Sequence, residues 1–100
     1  MAKITKIETL TNSEYAKIIW VKIYDESGEY GIGETSWGPE TVDTYILTDI
    51  APTIIGQNPL NIEKLWFDIC NLGITVRPSG AEVRAISAID IALWDLAGKL

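Results

Sequence analysis

The sequence predicts an α+β fold, in which a three-stranded antiparallel meander is followed by three helices. Residues 16–24 place Ile19, Val21 and Ile23 at a period of two, as in a strand that covers a core with one face. After Ser36 the apolar residues recur at the period of an amphipathic helix. Because the strands precede the helices, we expect the helices to pack on one face of the sheet.

The composition limits the class of protein. The 100 residues make one domain or part of one, and 47% of them are hydrophobic. With a net charge of −6 and scattered Lys and Arg, we expect no nucleic-acid partner. No apolar run reaches about 20 residues and no secretory signal begins the chain, so we expect a cytoplasmic protein with no membrane partner.

The chain contains no histidine and one cysteine, Cys70. Histidine is the usual general base and the commonest metal ligand, so we do not expect this chain to be a catalyst by itself. One cysteine excludes an internal disulfide. Its apolar position on a predicted helix indicates core packing rather than a nucleophile.

Two strands and a hairpin loop are expected in the first part of the chain. Residues 3–10 are rich in Ile and Thr and predict the first strand. The turn-forming residues 11–15 separate it from the second strand, residues 16–24. Residues 25–28 predict a hairpin loop, with Gly28 in the left-handed conformation.

The third strand is expected at residues 29–34 and contains Gly31 and Gly33. A Gly-x-Gly pair after a strand can belong to a nucleotide-binding loop. This pair lacks the third glycine and does not open a helix, which disfavours that alternative. Close packing against a bulky neighbour, or a bend, is the simpler explanation.

The first two helices each begin with a proline signal. Pro39 predicts the first turn of one helix, which we expect to end around Ala51 and Pro52. Asn58 as cap and Pro59 at the first helical position predict the start of the next, which Gly73 ends. The expected apolar stripes are Val42, Tyr45, Ile46 and Ile50, and then Ile62, Leu65, Trp66, Ile69 and Cys70.

The third helix is expected to start near Ser79, where Ser79 and Glu82 form a capping-box pattern. Residues 85–97 contain only three polar residues, and these share a sector of about 140° with Ile91 and Trp94. Either this helix is buried within the domain, or it lies between this domain and a second body. The small size of the chain favours the second alternative and predicts self-association if the face is uncovered.

Three motifs resemble the N-terminal capping domain of enolase-superfamily enzymes. They are GIGET at 31–35, APTIIGQNP at 51–59 and AISAIDIALWDLAGK at 85–99. The last resembles the helix that leads from the capping domain into the barrel. Trp94 and the following Gly98 and Lys99 are more similar to the mandelate racemase and acid-sugar dehydratase branch than to the cycloisomerase or dipeptide-epimerase branch.

The resemblance implies a two-part enzyme, a lyase or isomerase, with residues 1–100 as the capping domain. A (β/α) barrel, which these residues do not contain, would bind magnesium and supply the acid and base residues. The reaction would begin with removal of the proton α to the carboxylate of a small substrate. We therefore expect a chain that is inactive alone, binds no magnesium itself, and has its own barrel and further copies of itself as partners.

The resemblance also implies that two loops of the capping domain help to select the substrate. They match residues 11–15 and 36–38, and the expected substrate-binding residues are Tyr15, Trp37, Asn12, Ser13 and Ser36. Tyr15 and Trp37 would be aromatic walls of a pocket. The alternative is that both aromatic residues shield a sheet edge, and the first loop is short for a lid.

The acidic residues of the last helix do not form a convincing metal site. Asp90 and Asp95 diverge by about 140° on a helix, and Asp95 is more plausibly an i,i+4 partner of Lys99. We expect Glu26, Glu29 and Glu34 to be solvated on the hairpin. The alternative function is a stand-alone α+β module that binds another protein or a second copy of itself.

Overall fold

The computed structural model describes residues 2–72 and 80–100. It confirms the α+β fold, with three antiparallel strands in the order β1-β2-β3 and helices on one face. No helix in this described part is long and apolar enough to cross a membrane. The strands are β1 (Ile4–Asn12), β2 (Tyr15–Asp25) and β3 (Tyr30–Ser36), and the helices are α1 (Pro39–Tyr45), a π-helical turn (Ile46–Ile50), α2 (Ala51–Ile54), α3 (Ile62–Cys70) and α4 (Ala81–Lys99).

The core lies between the sheet and the helices. Ile19, Val21 and Ile23 of β2 are completely buried, which confirms the face that their alternation predicts. Ile7 of β1 pairs with Ile23 and is buried beside it. The opposite face of the sheet carries the long polar and aromatic side chains of β2, and these are only partly covered.

The helix α4 packs directly on the backbone of β3. A Cβ atom added to Gly33 would lie 2.0 Å from the carbonyl oxygen of Ala88, and one added to Gly31 would lie 2.0 Å from that of Ala92. The close packing that the two glycines predict is therefore confirmed. Its partner is a helix backbone with alanine side chains rather than a bulky side chain, because only small residues let two backbones approach this closely.

The first hairpin corrects the expected loop of residues 11–15. β1 continues to Asn12 and β2 begins at Tyr15, so the turn is Ser13 and Glu14 alone. The Asn12 Oδ1 atom accepts a hydrogen bond of 2.7 Å from the Glu14 backbone N–H. This side-chain bond satisfies the turn locally, which lets strand pairing continue past the expected break.

The second hairpin agrees with the prediction. Gly28 has a φ of 89°, in the left-handed region that favours glycine. Asp25 is buried, and its Oδ1 atom accepts hydrogen bonds from the Ser27 hydroxyl at 2.6 Å and the Glu29 N–H at 3.2 Å. The hairpin is thus organised by one buried carboxylate.

The first helical segment runs further than expected. The prediction that it ends around Ala51 and Pro52 is wrong, because the chain stays helical to Ile54. The π-helical turn Ile46–Ile50 comes directly before the proline, where a wider turn accommodates a residue without an N–H. Burial of Ile50 and Ile54 keeps the segment on the core.

The start of α3 is also a correction. The Asn58 Oδ1 atom accepts a bond of 2.9 Å from the Leu60 N–H, so Asn58 closes a turn over Pro59 and the helix begins at Ile62. Trp66, expected in the buried stripe, is exposed at the edge of it. The predictions for Gly73, the connection 74–78 and Ser79 lie outside the described residues.

The outer edge of β3 is hydrogen-bonded by side chains of α4. The Asp95 Oδ2 atom accepts a bond of 2.9 Å from the Ile32 N–H, and Lys99 Nζ donates to the Tyr30 carbonyl oxygen at 2.7 Å. Asp95 and Lys99 also form the expected ion pair, at 3.4 Å. We refer to these two side chains as the edge clip, because they bond to an edge that would otherwise be open to another strand.

We predict that Gly33→Ala lowers the free energy of unfolding by about 3 kcal/mol or more, because the new methyl group must displace α4. The melting temperature should fall by at least about 12 °C. Gly98→Ala is the matched control, since a Cβ at Gly98 meets nothing within 4 Å. That variant should be neutral or stabilised by up to about 1 kcal/mol. Equal urea midpoints for the two variants would contradict the direct backbone contact.

The edge clip should be sensitive to acid. The hydrogen bond from the Ile32 N–H, and then Lys99, lower the pKa of Asp95 below its usual value. A lowered folded-state pKa stabilises the fold above the unfolded value of about 3.9 and is lost as pH falls through the folded value. The difference in unfolding free energy between the wild type and Asp95→Asn should therefore be largest at neutral pH and disappear in acid.

Asp68→Asn is the control for the edge clip, because Asp68 pairs with Lys64 across one turn of α3 at 2.8 Å. An exposed pair of this kind contributes at most a few tenths of a kcal/mol. Urea unfolding at several pH values measures both variants. A wild-type to Asp95→Asn difference that stays constant down to the most acid pH would show that the clip does not stabilise the edge.

Candidate functional site

The turn between β1 and β2 and the start of α1 form one side of an open cleft of about 350 Å³. Asn12 and Ser13 line this cleft, as two of the expected substrate-binding residues. Tyr15, Ser36 and Trp37 are not among its lining residues. The cleft is lined by Thr11, Asn12, Ser13, Ala16, Pro39, Glu40 and Asp43.

All five expected residues nevertheless lie at one end of the sheet. Tyr15 pairs with Asn12 across the first turn and is more than half exposed. Ser36 ends β3 opposite Ile18, near the start of β2. The structure therefore brings the two expected loops to a common rim, which we refer to as the loop rim. Whether its residues bind substrate stays a prediction.

Trp37 is held in an unusual conformation at the loop rim. Its φ of 70° is left-handed, which is costly for a residue with a Cβ. Its backbone N–H donates a bond of 2.7 Å to the Lys17 carbonyl oxygen, and Lys17 Nζ lies 4.0 Å from the centre of the indole ring. With 58% of its surface exposed, the indole is presented to solvent rather than packed over the sheet edge.

Arg84 is a loop-rim residue that the sequence reasoning missed. It lies in the first turn of α4, and a Cβ on Gly38 would lie 3.8 Å from its Nη2 atom. The Arg84 Nε–H is buried without a hydrogen-bond acceptor. An unsatisfied buried donor costs about 1–3 kcal/mol. The available sequence signal was an Arg at the start of an otherwise apolar helix.

The outward face of α4 is left uncovered. Ile91 is 50% exposed and Trp94 is 60% exposed, whereas Ala88 and Ala92 on the other flank are completely buried. Ile91 borders a groove shared with Ile32, and Trp94 borders another shared with Leu60. We refer to Ile91, Trp94, Ile32 and Leu60 as the exposed α4 face. Of the two alternatives for this helix, burial within the described residues of this chain is wrong.

The remaining acidic and thiol groups form no site of their own. Among residues 2–72 and 80–100, no group of three or more His, Cys, Asp or Glu side chains could hold a metal ion. These residues therefore do not fit a magnesium site. Burial raises the pKa of Cys70, which disfavours the reactive thiolate. The Glu34 Oε1 atom accepts a bond of 2.8 Å from Trp20 and is otherwise in solvent.

A family model agrees with this geometry. The model for the N-terminal domain of mandelate racemase / muconate lactonizing enzyme matches residues 4–100. A D-xylonate dehydratase from Haloferax volcanii is 38% identical over 99% of this chain and 24% of its own length. The chain thus spans about a quarter of the length of this curated relative.

Solved structures show the same fold. An enolase of the mandelate racemase subgroup from Agrobacterium tumefaciens is 48% identical with a TM-score of 0.90, over 97% of this chain and 27% of its own. A mandelate racemase/muconate lactonizing protein from Paracoccus denitrificans, complexed with magnesium, is 32% identical with a TM-score of 0.85. That match covers 99% of this chain and 28% of the Paracoccus protein.

We predict that the chain self-associates through the exposed α4 face. Apolar surface in water costs about 25 cal/mol per Å², which favours pairing of uncovered faces. At tens of micromolar, the wild type should sediment as a dimer or larger species, and the double variant Ile91→Lys and Trp94→Lys as a monomer. Analytical ultracentrifugation measures both.

Phe67→Lys is the control for self-association, because Phe67 is a highly exposed apolar residue of α3 away from this face. It should leave the wild-type sedimentation unchanged. Monomeric wild type at these concentrations, or loss of association in the Phe67 variant alone, would contradict the role of the exposed α4 face.

Proposed function

This chain belongs to the mandelate racemase / muconate lactonizing enzyme family as its N-terminal domain, and on that premise we propose that it is the capping and substrate-specificity domain of a magnesium-dependent acid-sugar dehydratase or racemase. The observation that carries the proposal is the family match over 4–100 combined with the exposed α4 face. The match supplies the class of enzyme, and the exposed face supplies a surface for a second domain.

The proposed reaction begins with abstraction of the proton α to the carboxylate of a small acid. We assign the magnesium ion and the acid and base residues to a barrel domain, because the described residues of this chain do not provide them. The dehydratase from Haloferax volcanii and the magnesium-complexed Paracoccus protein support this class of reaction. Magnesium, when bound, would supply positive charge where negative charge develops on the substrate.

The loop rim is the part of this chain that we assign to the substrate. Trp37 and Tyr15 present aromatic surface suited to the C–H faces of a sugar chain, and the indole of Trp37 is fixed by Lys17. Asn12, Ser13 and Ser36 offer amide and hydroxyl groups that can bond substrate hydroxyls. These groups would orient the substrate and exclude water rather than take part in bond making.

The exposed α4 face is the surface that we assign to the barrel. Burial of Ile91 and Trp94 against a second domain would remove their apolar surface from water and hold the loop rim over the barrel mouth. We propose that the chain alone is inactive and that full copies assemble as oligomers. The cytoplasmic location stays a prediction.

The same exposed face is the one observation that favours the alternative function, a stand-alone interaction module. The coding frame after Leu100 distinguishes the two functions at little cost. Strands that end in carboxylate residues support the enzyme, whereas a frame with no such strands supports the module.

We expect activity only when this chain is joined to its barrel and magnesium is present. The joined protein, assayed on a panel of sugar acids, should form a dehydrated keto acid or an epimer, and excess chelator should abolish the activity. The chain alone should be inactive with every acid. Turnover that survives chelation would contradict the magnesium-dependent reaction.

The specificity role is tested in the same joined protein with Trp37→Ala. Loss of the aromatic wall should raise KM about tenfold, equivalent to about 1.4 kcal/mol, with a smaller effect on kcat. Trp66→Ala is the control, because Trp66 is an exposed tryptophan of α3 outside the loop rim. Equal KM values for the two variants would remove Trp37 from the substrate site.

A further inference from the structure

Arg84 lies against the loop that carries Ser36 and Trp37. A Cβ atom on Gly38 would lie 3.8 Å from the Arg84 Nη2 atom, so the guanidinium reaches the backbone of this loop. Gly38 is itself left-handed, with a φ of 60°, and contributes no side chain to cover the guanidinium. The charge of Arg84 is therefore next to the residues that we assign to the substrate.

The charge of Arg84 is not compensated within residues 2–72 and 80–100. The buried Nε–H has no acceptor within hydrogen-bond distance. The chain has 14 acidic residues, yet the ion pairs of its described part are formed by lysines, at Lys6–Glu8, Lys64–Asp68 and Lys99–Asp95. A donor that has lost water without gaining an acceptor favours a ligand that provides one.

The shape and charge of the guanidinium select the ligand. Its planar set of N–H donors matches the two oxygens of a carboxylate and forms paired, charge-assisted bonds with them. The adjacent Trp37 has left-handed backbone, and outliers of this kind cluster at ligand-binding sites. Lys17 over the indole adds a second positive charge to the same loop.

We propose that Arg84 is a carboxylate anchor at the loop rim, and that its ligand is the far carboxylate of an acid sugar that carries one at each end. This inference rests on the proposed function, in which the reacting carboxylate is held in the barrel and the opposite end of the substrate reaches the cap. An Asp or Glu side chain of the barrel could supply the same chemistry, so the experiment must separate the two sources.

The first arm measures binding on the chain itself by NMR, following the Nε–H resonance of Arg84 in a ¹⁵N-labelled sample. Galactarate, with two carboxylates, should shift this resonance saturably and at least tenfold more tightly than galactonate, with one. Sodium chloride at the same ionic strength should not shift it. In Arg84→Lys the resonance is lost, which assigns it, whereas Lys64→Met should leave both the resonance and the binding unchanged.

The second arm uses the chain joined to its barrel, with Arg84→Lys and Arg84→Gln. A KM for the diacid that rises at least tenfold, with an unchanged melting temperature, supports the substrate as the source. A lowered melting temperature with unchanged KM assigns the carboxylate to the barrel and overturns the substrate assignment. Unchanged KM and melting temperature, with no saturable shift in the first arm, overturn the anchor altogether.

The two arms also separate this inference from the proposed function. If the joined wild-type protein is inactive on every acid, the proposed function fails, while the NMR titration still decides whether Arg84 binds a carboxylate. If the joined protein is active and neither Arg84 variant nor the titration responds, the proposed function stands and the anchor is wrong.

Discussion

The structure depends on the contact between the backbone of β3 and the backbone of α4. Gly31 and Gly33 leave no room for a side chain under the carbonyl oxygens of Ala92 and Ala88, so the long helix lies directly on the sheet. That contact fixes the rotation of α4. Once its alanine flank faces the strand, Ile91 must point away from the core, and this chain provides nothing to cover it. The exposed face is thus a consequence of the two glycines.

The same rotation places the polar residues of α4 along β3. Asp95 and Lys99 meet the open edge of the strand, where they replace the hydrogen bonds of a missing neighbour. Three turns earlier Arg84 meets the loop that follows the strand. A helix that looks apolar on every side in the sequence therefore uses its few charges at particular backbone groups. One rigid element connects the core, the sheet edge and the loop rim.

Strand faces and helix faces could be predicted from the sequence, because side-chain period follows directly from backbone geometry. The faces of β2 and α4 and the left-handed Gly28 are examples that the structure confirms. Element ends could not be predicted as well. Asn12 and Asn58 each bond a backbone N–H two residues ahead, and such bonds decide whether a strand continues or a helix starts. Arg84 was missed because its lack of a partner is a property of packing.

The exposed face and the unpaired arginine reflect different physics but indicate the same missing neighbour. Ile91 and Trp94 expose apolar surface to water, whereas Arg84 buries a donor without an acceptor. Each raises the free energy of the folded chain, and no rearrangement on a helix fixed by two glycines removes either cost. A second body that covers the face and brings a carboxylate to the loop relieves both. Because one helix bears both costs, docking of that body and occupation of the loop rim would be coupled through α4 without any change in its position.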